Sequence, residues 1–303
     1  MSYLWVLFTL LGAVGQTARN AMQRGLTPQL GALGATLVRF LFGFPFALSF
    51  LAVVLAWTHA ALPAINRDFA LWILLGALTQ IGATALMLMT MEQRSFVVTI
   101  AYLKTEPVLV ALMGLVFLSD PLTAAMALAI LVAMAGVTLI SVKPEALTGG
   151  GFSNWRGPAL LGLSSAALFA ASAIGYRGAI LALHQSSFVL GATFSLAVGL
   201  SLQTALLLAW LLAFKRAILA ALMRLWRPSL LAGFSGAAAS QCWFLAFALA
   251  SAASVRTLAL VEILFAQGVT HFLFRQKTSL REASGIALLL AGAILIVWVS
   301  PKA

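Results

Sequence analysis

The sequence predicts an all-α polytopic membrane protein, with ten transmembrane helices arranged as two five-helix inverted repeats around a central cavity. Three observations support this fold class. Hydrophobic residues make up 63% of the 303 positions, charged residues make up 8%, and the mean hydropathy is +1.07, a composition that excludes a water-soluble domain of this size. The apolar residues form runs of about 20 residues, which is the length that crosses a bilayer. The second half of the chain also resembles the first.

Five of the predicted spans precede a hydrophilic connection and five follow it. The apolar runs and the polar breaks between them predict spans at residues 3–24, 30–57, 69–90, 95–118, 122–142, 158–182, 187–214, 228–251, 254–274 and 282–299. The connection contains Pro144 and three consecutive glycines, which favour a loop. We therefore divide the chain into a first repeat at 1–142, a linker at 143–157 and a second repeat at 158–303.

Matching segments in the two halves indicate an internal duplication. A shift of 156 positions places Glu106 on Glu262 and Gly136 on Gly292, inside apolar runs of similar length. Because each copy has an odd number of spans, the second copy enters the membrane from the opposite side. This inverted repeat is typical of secondary transporters, whose inner and outer gates are then equivalent.

Basic residues near the ends of the predicted spans indicate the orientation. Eleven lysines and arginines lie near one side, and four lie near the other, namely Arg67, Arg177, Arg256 and Lys302. Since the cytoplasmic side carries the excess of basic residues, we expect both termini to lie outside. The first apolar run has no charged leader and no cleavage site before a polar mature sequence, so we expect a first span and not a cleaved signal peptide.

Several classes of function are not expected from this composition. The net charge of +11 comes from small groups at the ends of apolar runs, which indicates contacts with lipid headgroups and no nucleic-acid binding. Cys242 is the only cysteine, and we expect neither a metal nor another cofactor. The sequence has no phosphate-binding loop, HExxH motif or nucleophile elbow, so we expect neither an enzyme nor an ATP-driven pump.

Two acidic residues within apolar runs are the first candidates for a functional site. A charge left unpaired in the bilayer costs several kcal/mol, so Glu106 and Glu262 either serve a function or are neutralised and fix helix contacts. Lys104 lies about 200° around a helix from Glu106, so these two cannot pair on one helix face. Tyr102 precedes Glu106 by one helical turn and is expected on its face, where its phenol would hydrogen-bond or line a cavity. Tyr102 and Lys104 are therefore candidate substrate-binding residues, Lys104 for an anion. Pro107 removes a backbone donor and is expected to loosen or kink this helix.

Five other residues in the predicted spans are candidates for binding a substrate. Arg39 is expected at the depth of the first carboxylate, where it would either form a buried structural pair or bind a substrate carboxylate. Gln80, Gln241 and Trp243 would line a cavity or hydrogen-bond between helices. His271 would either hydrogen-bond within the fold or take part in gating or proton relay.

Short motifs in the first repeat resemble those of a known family. These motifs are Val38-Arg39-Phe40, Glu106-Pro107 and Gly136-Val137. Together with the two fused five-span repeats, they resemble the EamA-type proteins of the drug/metabolite transporter superfamily over nearly the whole chain. The second repeat departs from the family pattern, because no proline follows Glu262.

The resemblance implies a bundle of ten helices around a central cavity and a role in moving metabolites, commonly the export of amino acids. Within the superfamily, the chain resembles bacterial exporters of the YddG type, which carry aromatic and other neutral amino acids. A multi-pass protein of the bacterial inner membrane is therefore expected.

The expected function is that of a secondary transporter that exports amino acids or related small metabolites by alternating access. Its expected partners are a small-molecule substrate and the lipid bilayer, and a monomer is sufficient because both repeats lie in one chain. Proton coupling through Glu106 or Glu262 and uncoupled facilitation fit the sequence equally well. A multidrug or nucleotide-sugar carrier is the alternative, followed by a membrane enzyme acting on lipids and a non-transporting subunit.

Overall fold

The structure is a computed structural model that describes residues 3–93, 99, 102–141, 156–265 and 279–300. Every regular element in these ranges is helical, which confirms the predicted all-α class for the described part of the chain. The helices are α1 (Leu4–Leu41), α2 (Phe44–Thr58), α3 (Arg67–Gln93), α4 (Glu106–Leu118), α5 (Ala124–Ser141), α6 (Arg156–Ala182), α7 (Phe188–Phe214), α8 (Arg216–Arg224), α9 (Trp226–Leu249), α10 (Ala252–Leu258) and α11 (Leu280–Val299).

Six helical stretches in the described ranges are long and apolar enough to cross a membrane. They are Leu4–Thr58, Arg67–Gln93, Ala159–Ala182, Phe188–Phe214, Trp226–Leu249 and Leu280–Val299. Large apolar side chains cover much of the exterior, and Val116 and Ile294 are 71% and 69% exposed. Such a surface suits a lipid solvent. The ten-span organisation stays a prediction, since the ninth predicted span is described only as far as residue 265.

The boundary predicted between the first two spans, at residues 25–29, is wrong. The chain stays helical there, and the break comes at Gly31, where φ is +67°. Glycine adopts this left-handed backbone readily because it has no Cβ. Gln23 Nε2 donates a hydrogen bond to Ala35 O at 2.8 Å and so joins the segments on either side of the break. A second break after Leu41 divides the second predicted span between α1 and α2.

Both mid-span carboxylates lie beside breaks in helices. Helix α4 begins at Glu106, after a turn at Lys104 and Thr105, and Pro107 lies in its first turn. Proline is tolerated in the first turn of a helix, so the loosening expected from Pro107 takes the form of a helix start. In the second half of the chain, the 3₁₀ turn Ala259–Val261 follows α10 and ends just before Glu262.

The two halves of the chain pack against each other helix by helix. The most extensive contacts are α3 with α6, α1 with α9, and α5 with α11, and α2 with α7 and α4 with α10 also pack together. The approach of α5 to α11 is very close, because a Cβ on Gly292 would lie 2.5 Å from the backbone nitrogen of Ala133. The contact of α4 with α10 brings Glu106 beside Arg256 and so positions the site.

Candidate functional site

A small cavity lies where the two halves of the chain meet. Its polar lining consists of Gln16, Arg19, Asn20, Lys104, Glu106, Arg256 and Glu262. Its volume is about 40 Å³, which is room for a little water. Pockets that hold small molecules usually measure about 300–1,000 Å³. In this conformation the cavity is therefore closed to a metabolite.

Two ion pairs border the cavity, and each connects the first half of the chain to the second. The Lys104 ammonium contacts the Glu262 carboxylate, and Arg256 Nε lies 3.0 Å from Glu106 Oε1. The second pair lacks hydrogen-bond geometry, because its N–H is not directed at the oxygen. All four side chains are largely buried, with exposures between 8% and 13%. Lys104 and Glu106 do not pair with each other, and each has its partner in the other half of the chain. Lys104 lies in the turn before α4 and not on a face of that helix, so the separation of 200° around a helix does not apply to this pair.

The ion pair between Arg39 and Glu106 that the sequence allowed is not formed. Arg39 Nη1 donates to Thr84 Oγ1 at 3.1 Å, and Arg39 Nε has no hydrogen-bond partner among the described residues. The physical reason is the helix packing: the contact of α1 with α3 brings Arg39 to Thr84, while α10 supplies Arg256 to Glu106.

Gln80 lies in a buried hydrogen-bond network beside a second, smaller cavity of about 10 Å³. Gln80 Oε1 accepts from the Tyr176 hydroxyl at 3.1 Å and from Gln203 Nε2 at 2.9 Å. Gln203 Nε2 also lies 2.9 Å from the Tyr176 oxygen. This network joins α3, α6 and α7. The second cavity shares Phe169 and Arg256 with the first, so the two are neighbouring parts of one interior.

Trp243 lies on α9, lines the second cavity and packs against Arg256. The Arg256 guanidinium lies 4.7 Å from the centre of the Trp243 ring and 5.4 Å from that of Phe247. A guanidinium over an aromatic face is stabilised by the ring quadrupole. The indole Nε1 of Trp243 is buried without a hydrogen-bond partner in the described part of the chain.

Two of the predicted site residues in the described ranges, Gln241 and Tyr102, do not line these cavities. Gln241 Nε2 donates to Thr193 Oγ1 at 2.8 Å, so Gln241 makes an interhelical hydrogen bond between α9 and α7. The Tyr102 ring fills the space over Gly162 of α6, where an added Cβ would lie 2.7 Å from it. His271 lies outside the described residues.

Sequence reasoning missed Arg19 as a site residue and misread Arg256. Arg19 is only 1% exposed, and its Nη2 and Nε donate to Asn20 Oδ1 at 2.7 and 3.2 Å. Its position within the first predicted span was the available signal, because an intramembrane arginine marks a functional site by default. Arg256 was counted among basic residues at the outer span ends, but it is 8% exposed and paired with Glu106.

Arg177 was also counted as a basic residue at a span end, and its structural role is different. It makes a bidentate ion pair with Asp120, with distances of 2.9 and 2.8 Å. Its Nη1 donates to the carbonyl oxygens of Phe247 and Ala250, both at 2.6 Å. These carbonyls lie at the end of α9, where helical acceptors lack partners. Arg177 therefore ties α6 and α9 to the segment after α4 and is not a headgroup contact.

Comparison with known proteins identifies the fold alone. No protein-family model matches the chain, and no curated protein sequence matches it. One crystal structure of a protein is similar over 99% of this chain and 96% of its own, with 14% sequence identity and a TM-score of 0.68. At this identity the similarity shows a shared helical architecture and carries no information on substrate.

Proposed function

We propose that this protein is a secondary transporter that exports amino acids or related small metabolites across the bacterial inner membrane by alternating access. The observation that carries this proposal is the two ion pairs, Lys104–Glu262 and Glu106–Arg256, which join the two halves of the chain beside a closed cavity. Ionisable residues inside a membrane protein are costly and typically mark the pathway of a substrate or an ion.

The helix breaks beside both carboxylates support the same proposal. Many secondary transporters form their substrate site from discontinuous helices near the membrane midplane, where two inverted repeats meet. Glu106 follows the turn at Lys104 and Thr105, and Glu262 follows the 3₁₀ turn Ala259–Val261. Similar breaks in corresponding segments favour ten spans in two inverted repeats. The excess of basic residues near one side, eleven against four, favours both termini outside.

The pattern of helix contacts also favours an inverted repeat. In a duplicated chain, each predicted span of the first repeat corresponds to the span five places later. Span 1 then corresponds to span 6, and span 3 corresponds to span 8. A contact between spans 1 and 8 should therefore be repeated between spans 6 and 3. These are the contacts of α1 with α9 and of α3 with α6. Two such equivalent surfaces could open alternately toward the two sides of the membrane, which is the basis of alternating access.

A nucleotide-sugar carrier is the second candidate function, and the buried cations favour it. Arg19, Arg39, Lys104 and Arg256 all line the two cavities, and they suit the phosphates of such a substrate. A carrier of cationic drugs fits less well, because both carboxylates at the cavity already have cationic partners.

Uptake into liposomes that contain the purified protein tests the proposal. Labelled phenylalanine, an organic acid and a nucleotide sugar should be compared, with and without an imposed pH gradient, beside empty liposomes. Saturable uptake of one of these above the empty-liposome level would establish transport. Dependence of that uptake on the gradient would distinguish proton coupling through Glu106 or Glu262 from facilitated diffusion. Absence of flux for every substrate would contradict the proposal and favour a non-transporting subunit.

A further inference from the structure

The buried interior carries more positive than negative side chains. Arg19, Arg39 and Arg256 are 1%, 3% and 8% exposed, and the Lys104 side chain is 11% exposed. The acidic side chains that oppose them are the two glutamates of the ion pairs, which already contact Lys104 and Arg256. Arg19 and Arg39 consequently have only neutral hydrogen-bond partners among the described residues, namely an amide and a hydroxyl.

The other acidic residues in the described ranges do not supply the missing negative charge. The sequence has seven acidic residues in all. Asp68 and Glu92 are exposed, Asp120 binds an arginine of α6, and Glu282 caps the start of α11. Glu145 lies in the predicted linker, outside the described residues. Because a buried charge without a counterion costs several kcal/mol, the excess of positive charge among the described residues favours the binding of a negatively charged group.

The hydrogen bonds of Arg19 leave one nitrogen of its guanidinium without a partner among the described residues, so Arg19 is the residue best suited to bind such a group. Asn20 Oδ1 occupies the Nε–Nη2 edge of the guanidinium, while Nη1 is buried without a hydrogen-bond partner in the part of the chain that the structure describes. Arg19 lines the larger cavity. The planar fork of a guanidinium matches a carboxylate or a phosphate, which can bind through two parallel hydrogen bonds.

Arg39, the other buried arginine without a carboxylate partner among the described residues, lies close to Arg19. A Cβ on Gly236 would lie 3.3 Å from Arg19 Cδ and 3.4 Å from Arg39 Cγ, so both side chains cross the same point on α9. Arg256 lines both the larger cavity, which includes Arg19, and the smaller cavity, which includes Arg39. Arg19, Arg39 and Arg256 thus form a cationic cluster that two anionic groups of one ligand could contact.

We infer that the cavity binds a small organic molecule of net negative charge, with a carboxylate or phosphate group held by Arg19. This inference rests on the proposed transporter function, because it names the substrate class of the same cavity. It distinguishes organic acids, acidic amino acids and phosphate esters from the neutral amino acids carried by the exporters that the sequence resembles. Because the cavity is too small for a metabolite in this conformation, binding requires the helices around it to separate.

Thermal unfolding of the purified protein in detergent tests the inference without requiring transport. We expect succinate or glycerol 3-phosphate to raise the Tm by several degrees, because a ligand that binds only the folded state stabilises it. Phenylalanine, and sodium chloride at equal ionic strength, are expected to have little effect. The two anionic probes distinguish a carboxylate ligand from a phosphate ligand.

The variants Arg19→Gln and Arg19→Lys identify the residue that binds the anion. Arg19→Gln removes a buried charge that lacks a counterion, so it should fold with an unliganded Tm at or above that of the wild type. Arg19→Lys keeps the charge but loses the planar fork. We expect either change to weaken binding of the anion by about tenfold or more. The control is Arg224→Gln, which removes a charge from an exposed position of α8.

The outcomes separate this inference from the proposed function. A Tm response to an anion that is lost in both Arg19 variants and kept in Arg224→Gln supports the inference. Failure of both anions to raise the Tm, or an equal response in the Arg19 variants, overturns it. Saturable uptake of phenylalanine together with the absence of any anion response would leave the transporter proposal standing and this inference rejected.

Discussion

Lys104 and Glu262 form an ion pair although they are 158 positions apart in the sequence. The neighbouring pair of Glu106 with Arg256 has the opposite polarity, because here the first half of the chain supplies the carboxylate. Each half therefore contributes one cation and one anion to these two ion pairs. A movement that separates α4 from α10 must break the contact of Glu106 with Arg256.

Exchanging the charges of the Lys104–Glu262 pair tests whether this contact matters for transport. The single changes Lys104→Glu and Glu262→Lys each leave two like charges facing each other in a buried site, so we expect each to abolish uptake into liposomes. The double variant Lys104→Glu/Glu262→Lys restores an attractive pair and should recover part of the uptake. A double variant no more active than either single variant would show that this pair is not the functional contact.

Neutralising Glu106 should destabilise the protein. Glu106→Gln leaves Arg256 buried among other arginines without a counterion, and breaking a buried pair in this way costs about 3–5 kcal/mol. The double variant Glu106→Gln/Arg256→Gln should be less destabilised than the sum of the two single changes, because the residues are in contact. The Tm in detergent measures this effect, and the exposed change Glu92→Gln is the control. Strictly additive changes would contradict the predicted coupling.

The bidentate contact of Arg177 with Asp120 should stabilise one end of the bundle. Asp120→Asn removes the charge from this contact but leaves the donation from Arg177 to the end of α9, so we expect a loss of about 1.5–3 kcal/mol, measured as a lower Tm. Asp68→Asn makes the same chemical change at an exposed position and should have little effect. Equal effects of the two changes would indicate that the Arg177 contact contributes nothing specific.

The close approach of α5 and α11 predicts a steric penalty at Gly292. An alanine there would place its Cβ 2.5 Å from the backbone nitrogen of Ala133, so the helices must move apart, at a cost of about 1–3 kcal/mol. A Cβ at Gly25 would meet no atom within 4 Å, and Gly25→Ala should raise stability by about 1 kcal/mol through helix propensity. Opposite signs of the two Tm changes are expected. A neutral Gly292→Ala would argue against this close packing.

The helical class could be predicted from the sequence because it depends on composition and on the length of apolar runs. The boundary between the first two spans could not be predicted. It depends on the hydrogen bond from Gln23 and on the backbone angle of Gly31, and a hydropathy pattern records neither. Pro107 did indicate the break beside Glu106, since a missing backbone donor is a local property of the sequence.

The partners of the charged residues were harder to predict than the residues themselves. Glu106, Glu262 and Lys104 could be identified because charge is rare within an apolar run. Their partners depend on which helices pack together, and that information lies in contacts between distant segments. Arg256 was misread for this reason, since its position near a predicted span end resembles that of a headgroup contact.

The most direct test of the transporter proposal is counterflow in liposomes that contain the purified protein. Liposomes preloaded with an unlabelled substrate are diluted into the same substrate carrying a label, for succinate, glycerol 3-phosphate, a nucleotide sugar and phenylalanine in turn. A carrier that alternates between two sides accumulates the label transiently above equilibrium. We predict this overshoot for at least one substrate with the wild type, its loss in Glu262→Lys, and its partial return in Lys104→Glu/Glu262→Lys. No overshoot for any of the four substrates, or an overshoot unchanged in Glu262→Lys, would contradict the account.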